Sequence, residues 1–464
     1  MLNVNVRIAD ATTKQPTPVR LRISDASGKY YPPLGRLEFI PTGIGEDVGG
    51  SVKLNHEVFA YIEGLCEVPL PAGVPLRFQV SKGPDWWSID TTITLGAGQM
   101  SVRLELSKIF YDREPGTDID FRVHLMDPVA ANLEAAAEGL SLVHVLAKVL
   151  PILGNDGETY PTIPQLHNYS GQTPACARQG CEVYVNTLNT HPVLGQLALI
   201  HTHRPIYPLA FGGADGTDDW SLCDWADQAH RKNGLVVWCN PFEESLKNGG
   251  EALVALILGK LDAIELSAQP RKVPFLPMLY RLWNAGLIVP LVGSSGKTSN
   301  KTALGAMRTV VLGNNWIKNV RDGSIYITNG PELTWKVKGR QIEASARSIS
   351  EFEQLELIVD GKAVEKHEPV KLEDRSVASM VATVPAEFRW AALRCTSRDG
   401  KAFAHSSTVY SLPGTPDPKA VAGLLKCLQL TEEWIQTEAH FASEKRKQQH
   451  LDRIVQARAI LTSG

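Results

Sequence analysis

Asp120-Phe-Arg-Val-His124 places a carboxylate, a guanidinium and an imidazole at alternate positions. Alternate residues of an extended strand share a face, so this spacing predicts that Asp120, Arg122 and His124 point the same way. Three polar groups on one face of an interior strand are costly unless they meet partners or a ligand. The row reads either as an Asp–Arg ion pair beside a satisfied histidine or as part of a binding site. His201-Thr-His203-Arg204 repeats the spacing with two imidazoles, the geometry of a metal pair. No third ligand can be assigned to it by spacing, and a hydrogen-bonded loop is the plainer reading. Gly293-Ser-Ser-Gly-Lys-Thr-Ser299 follows an apolar strand as a phosphate loop would, but position 291, where a Walker motif needs glycine, is Leu291. With no acidic Walker-B strand evident, the turn retains only the chemistry to hold a lone phosphate. The acidic loop Asp215, Asp218 and Asp219 reads as helix-cap chemistry, and no serine stands in a GxSxG elbow.

These residues fall within a chain of 464 residues, long enough for three or four structural units. Residues 1–110 alternate apolar and polar positions in short runs (NVNVRIAD, VRLRISD, LRFQVS, SVRLEL) between Gly, Pro and Asp turns, the pattern of a β-sandwich. From about 111 to 330 the pattern becomes strand, helix, strand. Asp127 is positioned to cap a helix with Pro128 in its first turn and Gly139 past its end, and Asp218 to cap another that runs through Lys232. Repeated βα units of this length predict a parallel sheet or barrel with functional groups at the carboxyl ends of its strands. Residues 331–413 return to short alternating strands and predict an immunoglobulin-like sandwich, and 414–464 predict a helical tail.

Composition narrows the function. Lys and Arg number 47 against 50 Asp and Glu, a net charge of −3, so no broad positive field exists to hold nucleic acid or an anionic membrane. The start, MLNVNVRIADATTK, lacks a basic segment followed by an apolar one, and no apolar run has the length of a bilayer span. The chain as given reads as cytoplasmic, with export of a longer precursor left open. Seven cysteines without a CxxC pair argue against a disulfide framework or a zinc knuckle.

Two family resemblances follow from particular phrases. TPVRLRISDASGKYYPP, EVPLPAGVPLRFQVSKGPDW and ITLGAGQMSVRLEL resemble the transthyretin-like or carboxypeptidase-regulatory-like domain, which implies nothing about chemistry. Residues 110–330 resemble the PHP superfamily of metallohydrolases, its CehA/McbA-like branch, which implies a distorted β/α barrel. The family's first motif, DxHxH, would be Asp120, Arg122 and His124, with one metal ligand turned into a cation. Its Asp-His pair falls on Ala147-Lys148. Its glutamate and following Gly-His are similar to Gly180-Cys181-Glu182 and Gly195-Gln196, its His-Pro to Asn240-Pro241, and its final Asp-x-His to Ser294, Ser295 and Lys297.

The resemblance thus leaves His124 and Glu182 as metal ligands, with His191 as a substitute if its loop folds inward. Arg122, Lys148, Gln196, Asn240, Ser294, Ser295 and Lys297, with His201 and His203 nearby, would form a cationic, donor-rich pocket suited to an anion. Positive residues that merely neutralise acids left behind by a lost metal are an equally weighted account.

Three readings stay open. One is a degenerate homologue that binds an anionic small molecule or protein partner. Another is an active ester, amide or phosphoester hydrolase with a mononuclear site. The third is a structural or assembly protein, with homo-oligomers allowed. No cofactor is required, and the one allowed is a single divalent ion of zinc, manganese or iron.

Overall fold

The computed structural model describes residues 1–43, 48–109, 116–153, 158–213, 216–400, 402–412 and 414–463. The sequence-derived boundaries at 110–111 and at 413, and Asp215 of the acidic loop, lie outside the described residues. Architecture is multi-sheet and β-rich, closed by two carboxyl-terminal helices.

In the amino-terminal part the strands Leu65–Leu70, Leu2–Asp10 and Ser101–Leu106 form one sheet, in that order. A five-stranded sheet around Val19–Asp25 and Pro75–Ser81 forms the other. Their alternating residues Val4, Val6, Ile8, Leu21, Ile23, Phe78, Val80 and Val102 are buried in one shared core. Each large aliphatic or aromatic side chain so buried stabilises the fold by about 1.5–3 kcal/mol.

The central part is a curled sheet with helices on its outside. Its strands run in the order Leu291–Ser294, Ala263–Ser267, Leu235–Cys239, Gly195–Ile200, Cys181–His191, Leu142–Ala147 and Gly116–Val123. The curl returns on itself where Gly296 N donates to Arg122 O (3.1 Å) and His124 N to Lys297 O (2.9 Å). The helix Pro128–Ala137 is capped by Asp127, whose side chain accepts from Val129 N, and has its proline in the first turn, as the sequence predicts. The next helix begins later than predicted, at Leu222, with Ser221 as its cap. Asp218 is drawn away by His191, whose Nε2 lies 2.8 Å from its carboxylate, and by the backbone N–H of His440 (2.7 Å).

One departure from the expected parallel order matters for the site. Cys181–His191 and Gly195–Ile200 form an antiparallel hairpin, with His191 paired to Gly195, and Gly195–Ile200 also runs antiparallel to Leu235–Cys239. Only three residues separate the two hairpin strands, too few for a crossover helix, so the chain must reverse direction.

The sheet does not end with the central part. After Ile325–Thr328, Tyr326 pairs with Ser406, Ile327 with His405 and Thr328 with Ala404, so strands from both sides of residue 330 share one hydrogen-bonded sheet. A four-stranded sheet of Glu332–Lys338, Gln341–Ser348, Ser376–Thr383 and Val370–Lys371 packs on it through Leu333, Ile342, Leu357, Met380 and Leu393. The helices Pro418–Thr437 and Glu444–Ser463 then lay Leu424, Leu428, Trp434, Ile454 and Leu461 against the helices of the central part. At the other end the amino-terminal sheets grip the carboxyl end of Pro128–Ala137. There Lys82 Nζ donates to Ala136 O (2.8 Å), and both Arg20 (2.6 Å) and the Tyr61 hydroxyl (2.7 Å) bond Glu138 Oε1. Among the described residues no helix is long and apolar enough to cross a membrane.

Candidate functional site at the carboxyl end of the curled sheet

The strand Gly116–Val123 carries a bulge that splits the DFRVH row. Asp120 is level with Val143 and Val123 with Val145, so three residues on one strand span two on its neighbour. The extra residue flips the face. Ile119 and Phe121 point into the curl, Val123 packs outward beneath the helix Pro128–Ala137, and Arg122 reaches inward to groups on other strands. Asp120, expected beside Arg122 and His124, instead faces out. Its Oδ1 accepts from the backbone N–H of Ser295 (2.9 Å) and its Oδ2 from that of Gly305 (2.9 Å). Burial raises its carboxyl above the ordinary value although these N–H groups hold it down.

Lys297 and Ser295 go with Asp120 to the outside. The Lys297 ammonium, 0% exposed, bonds Glu134 Oε2 at 3.0 Å and Thr302 O at 2.9 Å, so its charge is paired and directed away from the mouth of the curl. The Ser295 hydroxyl accepts from Lys297 N (3.3 Å) and tightens that turn. Both were expected to line an anion pocket, and the bulge together with the turn at Gly296 places them behind its wall.

What the fold does bring together is a smaller set. Arg122 Nε donates to Glu265 Oε1 (2.7 Å) and its Nη2 to Asn240 Oδ1 (3.0 Å). Asn240 passes the contact on, with Nδ2 donating to Gln196 Oε1 (3.3 Å) and its backbone N to Glu265 Oε2 (3.2 Å). The Ser294 hydroxyl donates to Glu265 as well. Gln196 reaches this end because the antiparallel strand begins here, level with Cys239. Burial opposes the Arg122 charge and Glu265 more than offsets it, so the guanidinium is held above its ordinary value.

His124 lies just beyond its strand, 0% exposed, with Nδ1–H donating to Leu146 O (2.8 Å). That bond fixes the tautomer, and Nε2 is left as a buried lone pair with no partner among the described residues. Burial holds the imidazole far below its usual range, with Lys148 and Arg122 pushing the same way, so it is neutral. Lys148 lies just past the end of the strand Leu142–Ala147, two residues after Leu146, and interacts electrostatically with His124 and Arg122. It is half-buried, and no carboxylate among the described residues lies within ion-pairing distance of it. Burial, followed by repulsion from Arg122, lowers its ammonium from 10.5 to about 8.

The remaining predicted ligands lie elsewhere. Glu182 sits at the start of its strand, level with Leu142 and hence with Ile119, exposed and bonded by the Tyr184 hydroxyl (2.7 Å). Four residues of strand rise, roughly 13 Å, separate that level from His124. His191 has neither nitrogen open, for Nε2 meets Asp218 at 2.8 Å and Nδ1 accepts from Val193 N (3.1 Å) and Leu194 N (2.9 Å). His201 and His203 stand at the far end of the reversed strand, level with the start of Leu235–Cys239. There His201 packs edge-on to Trp316 at 5.9 Å, while His203 is exposed. Among the described residues no group of three or more His, Cys, Asp or Glu side chains converges to hold a metal ion, so the donors present do not fit the ligand set that the resemblance implies. Comparison with known proteins finds no matching family model, no matching curated protein and no matching solved structure.

Two groups at this end escaped the sequence reading. Glu265, 1% exposed, organises Arg122, Asn240 and Ser294, and its signal was the one carboxylate within the short strand AIELS. Ser267, two residues on, has a buried hydroxyl with no partner.

Proposed function

We propose that the central part is a PHP-like β/α barrel whose multinuclear metal chemistry is lost, and that its mouth binds an anionic small molecule. Lys148 carries the reading. Its ammonium is half-buried beside a second cation and has no carboxylate among the described residues. A buried charge normally finds a counter-charge, and a mobile anion supplies one. The account in which cations only neutralise leftover acids fits Lys297 with Glu134 and Arg122 with Glu265, but not Lys148. The His124 lone pair and the Asn240 and Gln196 amides add acceptors and donors that would select a polar anion over a bare halide.

Titration calorimetry with inorganic phosphate, lactate and succinate tests this. At least one is expected to bind with an affinity that falls with salt and is lost in Lys148→Met. Near-stoichiometric zinc, manganese or iron that disappears in His124→Ala would overturn it in favour of a metal-dependent hydrolase.

A further inference from the structure

The groups at the mouth do more than balance charge. Lys148 presents a primary amine just past the end of its strand, two residues beyond the carbonyl that holds His124, and its charge is felt at both His124 and Arg122. His124 keeps its proton on Nδ1 and offers an unpartnered, fully buried Nε2. Arg122 is fixed by Glu265 and Asn240 through Nε and Nη2, and no described residue bonds its Nη1. An amine, a neutral imidazole acceptor and a guanidinium with one nitrogen unengaged among the described residues therefore share one end of the curled sheet. An anion that used only charge would leave the imidazole lone pair unexplained. A ligand with a carboxylate next to a carbonyl uses all three.

We propose that Lys148 forms a reversible Schiff base with a small 2-oxo acid whose carboxylate is held by Arg122, with His124 Nε2 as the proton carrier. This rests on reading the mouth as an anion site. The Lys148 nitrogen adds to the carbonyl carbon, and the C–O π pair moves to oxygen. His124 Nε2 takes one proton from the nitrogen and delivers it to that oxygen, giving the carbinolamine, then carries the second nitrogen proton to the hydroxyl, which leaves as water while the C=N bond forms. Amine plus ketone gives imine plus water, with no change of oxidation state and no co-reactant. The lowered basicity of the Lys148 amine favours this, because only the unprotonated form adds.

The test uses the full chain with pyruvate and sodium cyanoborohydride, which reduces an imine to a stable secondary amine. Intact mass followed by peptide mapping is expected to show one reduced adduct, on Lys148, in excess over every other lysine. It should be suppressed by excess lactate, which has the carboxylate but no carbonyl. Lys148→Arg, which keeps the charge, is expected to lose the adduct while still binding lactate in calorimetry. His124→Gln is expected to slow adduct formation by a larger factor than it weakens lactate binding. Pyruvate and lactate that bind alike, with no adduct on Lys148, would overturn the Schiff base and leave the anion site standing. If neither pyruvate, lactate nor phosphate binds, both readings fail. Adducts spread over surface lysines and unchanged in Lys148→Arg would also overturn the proposal.

Discussion

Lys297 and Lys148 flank the same strand and meet opposite fates. Lys297 crosses outward, where Glu134 compensates its charge in a fully buried pair and the Thr302 carbonyl accepts a second bond. Lys148 turns inward beside Arg122, where no carboxylate among the described residues compensates it. One bulge at Phe121–Arg122 divides the two environments, sending Asp120 to the outer set and Arg122 with His124 to the inner one. Side chains of the same kind therefore separate by role. In the outer set the lysine charge is paired without a ligand, and in the inner set it is not. A buried cation marks a site only when its counter-charge is missing.

The contrast is sharpest in stability. Lys297→Met strands the Glu134 carboxylate and is expected to lower the unfolding free energy by about 3–5 kcal/mol, whereas Lys148→Met should stay within about 1 kcal/mol of wild type. Urea denaturation reads both, and equal losses would break the distinction. Arg122 is intermediate, since it binds on one side and is paired on the other. Arg122→Met should cost roughly 3 kcal/mol by isolating Glu265, and Arg122→Met combined with Glu265→Leu should recover part of that in a double-mutant cycle.

Acid acts deeper on the inward row. Burial holds His144 down at about 3 against an ordinary 6.5, so the unfolded chain binds the extra proton. Stability tied to that histidine is present above 6.5 and is lost as pH falls through this window toward 3. The stability–pH slope there should flatten in His144→Gln. Base gives the smallest effect. With Lys148 lowered to about 8 from 10.5, the folded state sheds its proton first. Wild type should gain stability relative to Lys148→Met as pH rises between those values. A gain in the opposite direction would mean that the ammonium has a partner after all.

Much of this was legible before the structure. Asp127-Pro128 starts its helix as the sequence predicts, and His124 and Asn240 reach the end of the sheet at which the motif order places them. Two features were not legible, for physical reasons. A single-residue bulge changes which face every later residue takes, yet it leaves the apolar–polar alternation of DIDFRVH almost unchanged, so Asp120 was assigned to the wrong side. Strand direction is also silent in composition. LGQLALI has the same residues whether it runs with its neighbours or against them, and the reversal moves His201 and His203 to one end and Gln196 to the other. Glu134 and Glu265 were readable in principle, each an acid on an otherwise apolar face, but their partners Lys297 and Arg122 lie far away in sequence.

The pairing of Tyr326, Ile327 and Thr328 with Ala404–Ser406 has a mechanical meaning. Residue 330 is the point at which a sequence-based division would cut, yet hydrogen bonds cross the sheet on either side of it. The two parts are welded, with no hinge between them, and pulling on one loads the other directly. A chain stopped at 330 would expose the raw edge of Ile325–Thr328, an apolar strand open to any passing copy, and is expected to aggregate where the longer chain does not.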